Sequence, residues 1–389
     1  STVAVLRPFG EVVRLPFDVS HSSEDLAGLA RQLKALDGET RVVMEHTGRY
    51  YEPVANVLHE AGLHVSAVNP LLIREYGGNS LRRVKTDKAD AMKIAKYGLD
   101  NWVDLREYTP MDTIRYDLKT LNRQFQLASK QKTATANNLI ALQEQSFPGI
   151  RKCFDSPVRQ DGTQKWVDFT YTFWHADCVR KHSLNAFAER YRKWCKRHGY
   201  ILKQSNAEEV YALAKSAVTL VSSSEVTKLL VQEAANQLTG ISHSVETYRA
   251  EMNRLASMLP EYPVVMEMYG VGESFGPQLM AEIGDIRRFE HKKSLVAFAG
   301  VDPMPNQSGE KNVRSNRSSK RGSPYLRKTL FNIMGIYLRC SPADEPVYQF
   351  LDRKRVEGKP FYIYMTAGAN KFLRIYYGRV KEYLSSLPE

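Results

Sequence analysis

The spacing of apolar residues changes period at about residue 112, and this change limits the possible folds more than any other feature of the chain. Before it, short apolar runs alternate with amphipathic stretches. After it, Leu118, Leu121, Phe125, Ala128, Lys132, Thr135, Leu139 and Leu142 follow a 3,4 spacing, which Lys132 and Thr135 weaken. Leu238, Ile241, Val245, Tyr248, Met252, Leu255 and Leu259 repeat that spacing more cleanly. Such a repeat lays one apolar stripe along a helix, so the two segments are expected to pair as a helical hairpin or with a second subunit.

Ahead of the change, Thr2–Leu6 and Glu11–Phe17 flank a Pro8-Phe9-Gly10 turn and read as a β-hairpin. Ser22 or Ser23 can cap an amphipathic helix carrying Leu26, Leu29, Leu33 and Leu36. Arg41–Met44 reads as a buried strand, Tyr51 to Ala61 as a helix and Leu63–Val68 as another strand. Residues 1 to about 110 therefore predict an α/β domain with a mixed sheet. Residues 111–262 predict long helices interrupted at about 147–224 by an insertion rich in aromatic and basic residues. Pro260 and Pro263 mark the next boundary, and 263–389 reads as mostly helical around one polar loop near 302–324.

With 389 residues the chain is long enough for two or three domains, and 55 Lys plus Arg against 43 Asp plus Glu leave it at +12. That excess points toward polyanions, because neutralised phosphates release counterions. No uninterrupted apolar run of about 18 residues is present to span a bilayer. Cys153, Cys178, Cys195 and Cys340 are scattered without a CxxC, and the N-terminus lacks the pattern of a signal peptide, so a reducing cytoplasm is expected.

Four constellations can carry chemistry. Glu45 ends a strand, and Asp87 and Asp90 stand three apart at the start of a predicted helix, so both can face one place beside the strand end. Such carboxylates suit a hard divalent cation in phosphoryl transfer, or simply favour the helix dipole. Tyr269-Gly270-Val271-Gly272 places a Gly-x-Gly turn between helices, where Gly270 and Gly272 can offer backbone N–H groups to a phosphate or merely make a turn. Ser308 lies on the polar loop, followed by Arg314, Arg317, Lys320, Arg321, Arg327 and Lys328. It can act as a nucleophile beside guanidinium groups, although Ser315, Ser318, Ser319 and Ser323 are rivals and spacing alone does not choose. His175, Cys178, His182, Cys195 and His198 have metal-like spacing in a segment aromatic enough to be ordinary core.

Taken together, these motifs resemble the DEDD-type transposases of bacterial insertion sequences, the Piv-related family described as bridge-RNA-guided serine recombinases. The resemblance rests on Val43-Met-Glu-His-Thr-Gly-Arg-Tyr50, Val68-Asn-Pro70 and Leu81-Arg-Arg-Val-Lys-Thr-Asp-Lys-Ala-Asp-Ala91 at one end. At the other it rests on Tyr269-Gly-Val-Gly272, Phe298-Ala-Gly-Val-Asp-Pro303, Gln307-Ser-Gly309, Ser319-Lys-Arg-Gly322 and Tyr325-Leu-Arg327. Residues 147–224 are unmatched.

The family implies a RuvC-like N-terminal domain of RNase H fold, a coiled-coil linker and a mostly helical C-terminal transposase domain with a helix-hairpin-helix-like motif. Glu45, Asp87 and Asp90 match the last three letters of DEDD and would hold Mg2+ or Mn2+. Ser308 matches the serine that forms a covalent 5′-phosphoserine with DNA. Arg314, Arg317, Lys320 and Arg321 are expected phosphate contacts. The resemblance also implies donor and target DNA, a structured guide RNA, a homodimer that becomes a tetramer on DNA, and a composite site shared between subunits. No residue matches the family's first Asp. Asp18 is too close to Glu45 and follows the hairpin, so the numbered chain is expected to begin after the strand that bears that acid. Two rival functions are a RuvC-like metal-dependent nuclease or Holliday-junction resolvase using activated water, and a non-catalytic scaffold stacking nucleic acid on Trp166 or Trp174.

Overall fold

The computed structural model describes residues 1–48, 50–76, 86–303, 307–308, 311–312 and 318–388. The chain is mostly helical and divides into two compact units, Ser1–Met111 and Asp112–Glu389.

Unit 1 opens with β1 (Thr2–Leu6) and β2 (Val12–Asp18), antiparallel from Thr2↔Asp18 to Leu6↔Val12, as the hairpin pattern predicts. Next, α1 (Ser23–Lys34) is capped by the Ser22 hydroxyl accepting from the Asp25 amide at 3.1 Å. Then β3 (Arg41–Glu45), α2 (Glu52–Glu60) and β4 (His64–Val68) form a βαβ crossover whose strands run parallel from Arg41↔His64 to Glu45↔Val68. Leu26, Leu29, Ala30 and Leu33 of α1 share a core with Val54, Ala55 and Leu58 of α2 and Val65 of β4. The unit continues through α3 (Pro70–Tyr76) and α4 (Asp87–Asp100).

Among the described residues the expected mixed sheet is replaced by two separate pairs, β1 with β2 and β3 with β4. Strand partners are chosen by long-range packing, which local patterning does not encode. Here α4 packs against β1, β2 and β3, so a helix joins the pairs where a shared ladder was expected.

Unit 2 is built on α5 (Thr113–Ser146) and α10 (Glu225–Ser257). These helices pack along one another within the chain. Leu118 and Phe125 share a core with Met252 and Leu255, whereas Leu139 meets Val231 and Leu238, so the helices are antiparallel. Lys132, which weakens the apolar stripe, instead reaches Glu246 of α10 at 3.8 Å.

Between the two helices lie α6 (Lys165–Thr172), α7 (Asp177–Arg180), α8 (Leu184–His198) and α9 (Gln204–Ser216). After them come α11 (Tyr262–Met266), α12 (Gly272–Ile283), α13 (Lys292–Ala299) and the two-residue strands β5 (Gln307–Ser308) and β6 (Lys311–Asn312). The chain then runs through α14 (Pro324–Cys340), α15 (Pro346–Val356) and α16 (Phe361–Ser386). One core joins the chain-terminal ends of α5 and α10 to α11 through α16, and a second fills the insertion.

Candidate functional site

The acidic constellation belongs to unit 1. Thr86 caps α4 by accepting from the Ala89 amide at 3.2 Å, which sets Asp87 and Asp90 in the helix's first turn. Two contacts fix the direction of α4 against β3. Arg41, at the start of β3, donates to the Trp102 carbonyl beyond the end of α4, and a Cβ at Gly98 would lie 2.8 Å from Val43. The helix therefore runs antiparallel to β3, and its acidic first turn points past the end of the strand at Glu45.

At 1.5 Å per helical residue and about 3.3 Å per strand residue, Asp90 stands about 5 Å beyond Glu45 along this axis and Asp87 about 10 Å. Asp87 and Asp90 are exposed, and neither forms an ion pair among the described residues; Glu45 accepts from the Thr47 hydroxyl at 3.2 Å. The donor chemistry suits a hard divalent cation. Among the described residues, however, no three His, Cys, Asp or Glu side chains converge closely enough to hold one. Asp18, set aside as a ligand by its sequence position, accepts from the Thr2 hydroxyl at 2.6 Å across the hairpin. Asn69 of the Val68-Asn-Pro70 motif accepts from the Leu71 amide at 2.9 Å, starting α3.

The serine segment belongs to unit 2. The backbones of Gln307 and Ser308 pair antiparallel with Asn312 and Lys311. Arg314 and Arg317 lie outside the described residues, as do Ser315 and the side chain of Ser308. What the structure does describe is how the two ends of this segment are joined. Pro303 bridges to Ser318, and the Ser319, Lys320 and Ser323 amides donate to the Asp302, Gly300 and Phe298 carbonyls at 3.0, 3.1 and 2.9 Å.

This stem explains two glycines of the sequence motifs. A Cβ at Gly322 would lie 1.9 Å from the Phe298 carbonyl oxygen. Gly300 has φ +66°, and a Cβ there would meet the Arg327 guanidinium at 2.7 Å. Arg327 occupies that space, donating to the Ala299 and Gly322 carbonyls at 3.1 and 2.9 Å, and burial lowers its pKa. Lys320 is exposed with φ 51°, a left-handed conformation costly for a residue with a Cβ and imposed here by the stem on either side. Arg321 is also exposed.

Two of the rival serines are structural. The Ser319 hydroxyl donates to Asp302. The Ser323 hydroxyl accepts from the Leu326 amide at 3.2 Å, capping α14, and donates to Glu282 at 2.8 Å. Glu282 is the residue that sequence reasoning missed. It is 2% exposed on α12 and also accepts from Asn122 at 2.8 Å and Arg123 at 3.0 Å, both on α5. Arg123 in turn lies over the Tyr325 ring at 3.6 Å. Gln126 of α5 donates to Gln278 of α12 at 2.7 Å and accepts from Lys328 of α14 at 2.7 Å. A buried polar network thus ties the long helix to the base of the serine segment. Its one sequence signal is an acid inside the apolar run Leu279-Met-Ala-Glu-Ile283.

The Gly-x-Gly turn joins α11 to α12 as expected, with φ +74° at Gly270 and +47° at Gly272. Gly270 lies against Ile333 and Ile336 of α14, and Val271 gives α12 no side-chain cap, so its first amides remain available to a ligand. The zinc-like set does not assemble. His175 is buried between the Val221 carbonyl and the Asp177 amide, His182 contacts Arg190, and His198 lies against Trp194 at 5.1 Å. Trp166 is 4% exposed within the insertion core, so it is no stacking platform.

The chain thus holds its carboxylate motifs on one unit and its stitched serine segment on the other. Residues 1–148 match the family model DEDD_Tnp_IS110, described as a transposase, and residues 262–349 match the model described as transposase IS116/IS110/IS902 family. Together these matches span more than half of the chain, which belongs to the IS110-type DEDD transposases. Among its relatives, the pilin gene-inverting protein of Moraxella bovis is 24% identical over 345 residues, covering 88% of this chain and 80% of that protein. The insertion element IS900 uncharacterized 42 kDa protein of Mycobacterium paratuberculosis is 23% identical over 334 residues, 84% of this chain and 79% of that protein. The transposase for insertion sequence element IS1111A of Coxiella burnetii is 31% identical over 96 residues, 25% of this chain and 26% of that protein. Transposase activity on DNA follows from the family, and no helix among the described residues is long and apolar enough to cross a membrane.

Proposed function

We propose that this transposase cuts and rejoins DNA through Ser308. Its Oγ attacks a backbone phosphorus, an Oγ–P bond forms as the P–O3′ bond breaks, and the departing O3′ takes up a proton. The 5′-phosphate stays esterified to the serine until a 3′-hydroxyl from the exchanged strand attacks it, reversing the bond changes. Phosphodiester energy is conserved, so no nucleotide cofactor is required. The observation that supports this reading best is the stem of residues 298–303 against 318–323, which anchors both ends of the Ser308 segment and occupies the hydroxyls of Ser319 and Ser323.

In the same reading unit 1 has the RuvC-like fold, α5 and α10 form the coiled-coil linker, and Arg314, Arg317, Lys320 and Arg321 hold phosphates together with the amides at Gly270 and Gly272. Glu45, Asp87 and Asp90 are the residues that would hold a divalent cation such as Mg2+, whose charge would offset that of the scissile phosphate. A structured guide RNA selects donor and target by base pairing, on a homodimer that assembles into a tetramer on DNA.

A plasmid recombination assay tests this. Ser308→Ala and Glu45→Ala are each expected to abolish strand exchange, and chelation with EDTA to abolish it reversibly. Cleavage that survives Ser308→Ala but not Glu45→Ala would instead identify a nuclease that activates water. RNA that copurifies with the protein is expected to carry loops complementary to the cut sites.

A further inference from the structure

The corner between α15 and α16 lies beyond the second family match, which ends at residue 349. Two adjacent rings stand in solvent there, Phe361 at 48% and Tyr362 at 73% exposure, both in the first turn of α16. They are braced: Phe361 meets Tyr364 edge-on at 5.4 Å, and Tyr362 lies 6.4 Å from Phe331 of α14. A lone exposed ring is unremarkable on a protein surface, whereas a braced pair bordered by cations calls for a ligand.

The cations come from the last turn of α15 and the loop after it. Lys354 is tied to Glu357 at 2.7 Å and Arg355 to Asp352 at 2.6 Å. Arg353 and Lys359 are exposed and have no acidic partner within ion-pair distance among the described residues. The local potential is positive: the Glu357 carboxyl is held below its usual range by its hydrogen bond from Lys354 and by the charges of Lys354, Lys359 and Arg353.

We propose that this corner binds an unpaired stretch of DNA strand, stacking bases on Tyr362 and Phe361 and setting phosphates against Arg353 and Lys359. Aromatic faces beside fixed cations are the means by which proteins grip single strands, and a paired duplex keeps its base faces hidden. A second copy of the chain fits less well, because in a two-fold interface the patch meets itself and the unpaired cations of both copies would face each other. Position also favours a strand near the reaction. Phe331 is seven residues into a helix that begins at Pro324, directly after the serine stem, which is about 10 Å of helix. The inference rests on membership of a DNA transposase family and not on the chemistry of Ser308.

Fluorescence anisotropy on the full chain tests it, using labelled oligothymidine of about 20 nucleotides, a duplex of equal length and oligouridine. Tyr362→Ala is expected to weaken oligothymidine binding roughly five- to fiftyfold while leaving the duplex within about twofold, and Tyr362→Trp to bind as wild type does. The double variant Arg353→Gln with Lys359→Gln should weaken oligothymidine and reduce the slope of log affinity against log salt by about 1.4. Binding is read without any strand cleavage, which keeps this test separate from the serine mechanism. Unchanged oligothymidine binding in both the Tyr362→Ala and double variants would overturn the proposal. So would loss of oligouridine binding alone, or a shift from dimer to monomer in light scattering with DNA binding intact. Circular dichroism confirms folding, which an exposed ring does not govern.

Discussion

Glu282 carries its carboxylate at 2% exposure because three donors surround it: Asn122, Arg123 and Ser323. A buried charge with its partners in place is tolerable, whereas removing one partner leaves the others desolvated and unpaired. Glu282→Ala is therefore expected to cost about 3–5 kcal/mol in urea unfolding. Glu282→Gln keeps the shape but turns an NH2 group toward one of those donors, so it should also lower recombination by loosening Ser323, the cap of α14. A Glu282→Gln protein with wild-type stability and activity would show that the network does not position the serine segment. Glu45, Asp87, Asp90 and Ser308 became candidates in the sequence through the family resemblance of the short motifs that hold them, since spacing alone did not choose them. Glu282 did not, because Asn122 lies 160 residues away and a periodic apolar helix conceals one acid.

At the scale of elements, α8 of the insertion turns its aromatic residues inward and most of its basic residues outward. Phe169 is fully buried, with Phe154 and Phe173 rings at 4.7 Å and Trp194 at 5.7 Å, while Arg192, Lys193, Lys196 and Arg197 occupy exposed positions of α8. Composition alone put these residues side by side and left stacking and packing open; only the helical faces separate them. Phe169→Ala should cost about 3–5 kcal/mol of stability, read by denaturant unfolding, through the cavity it leaves. Little loss there would mean that the insertion core is not tightly packed. The two long helices were legible from their period, and even the polar interruption at Lys132 has a cross-helix partner in Glu246. The β1–β2 hairpin was legible too, but the separation of that pair from β3 and β4 was not, because it depends on the long-range packing of α4 against β1, β2 and β3.

Over the whole molecule, the +12 charge of the chain accompanies two units with different chemistry. Unit 1 offers carboxylates at one end of a strand and helix, and unit 2 offers cations around a serine segment and an aromatic corner. Acids that would repel DNA on their own become useful once a cation lies between them and a phosphate. In the proposed reaction the serine, not water, accepts the phosphoryl group. The most direct measurement is to stop the reaction in denaturant, digest the protein and map the DNA-linked peptide by mass spectrometry. A nucleotide attached through its 5′-phosphate to Ser308, absent from Ser308→Ala protein, is the predicted result. Cut DNA with no protein adduct, or an adduct on another residue, would contradict it.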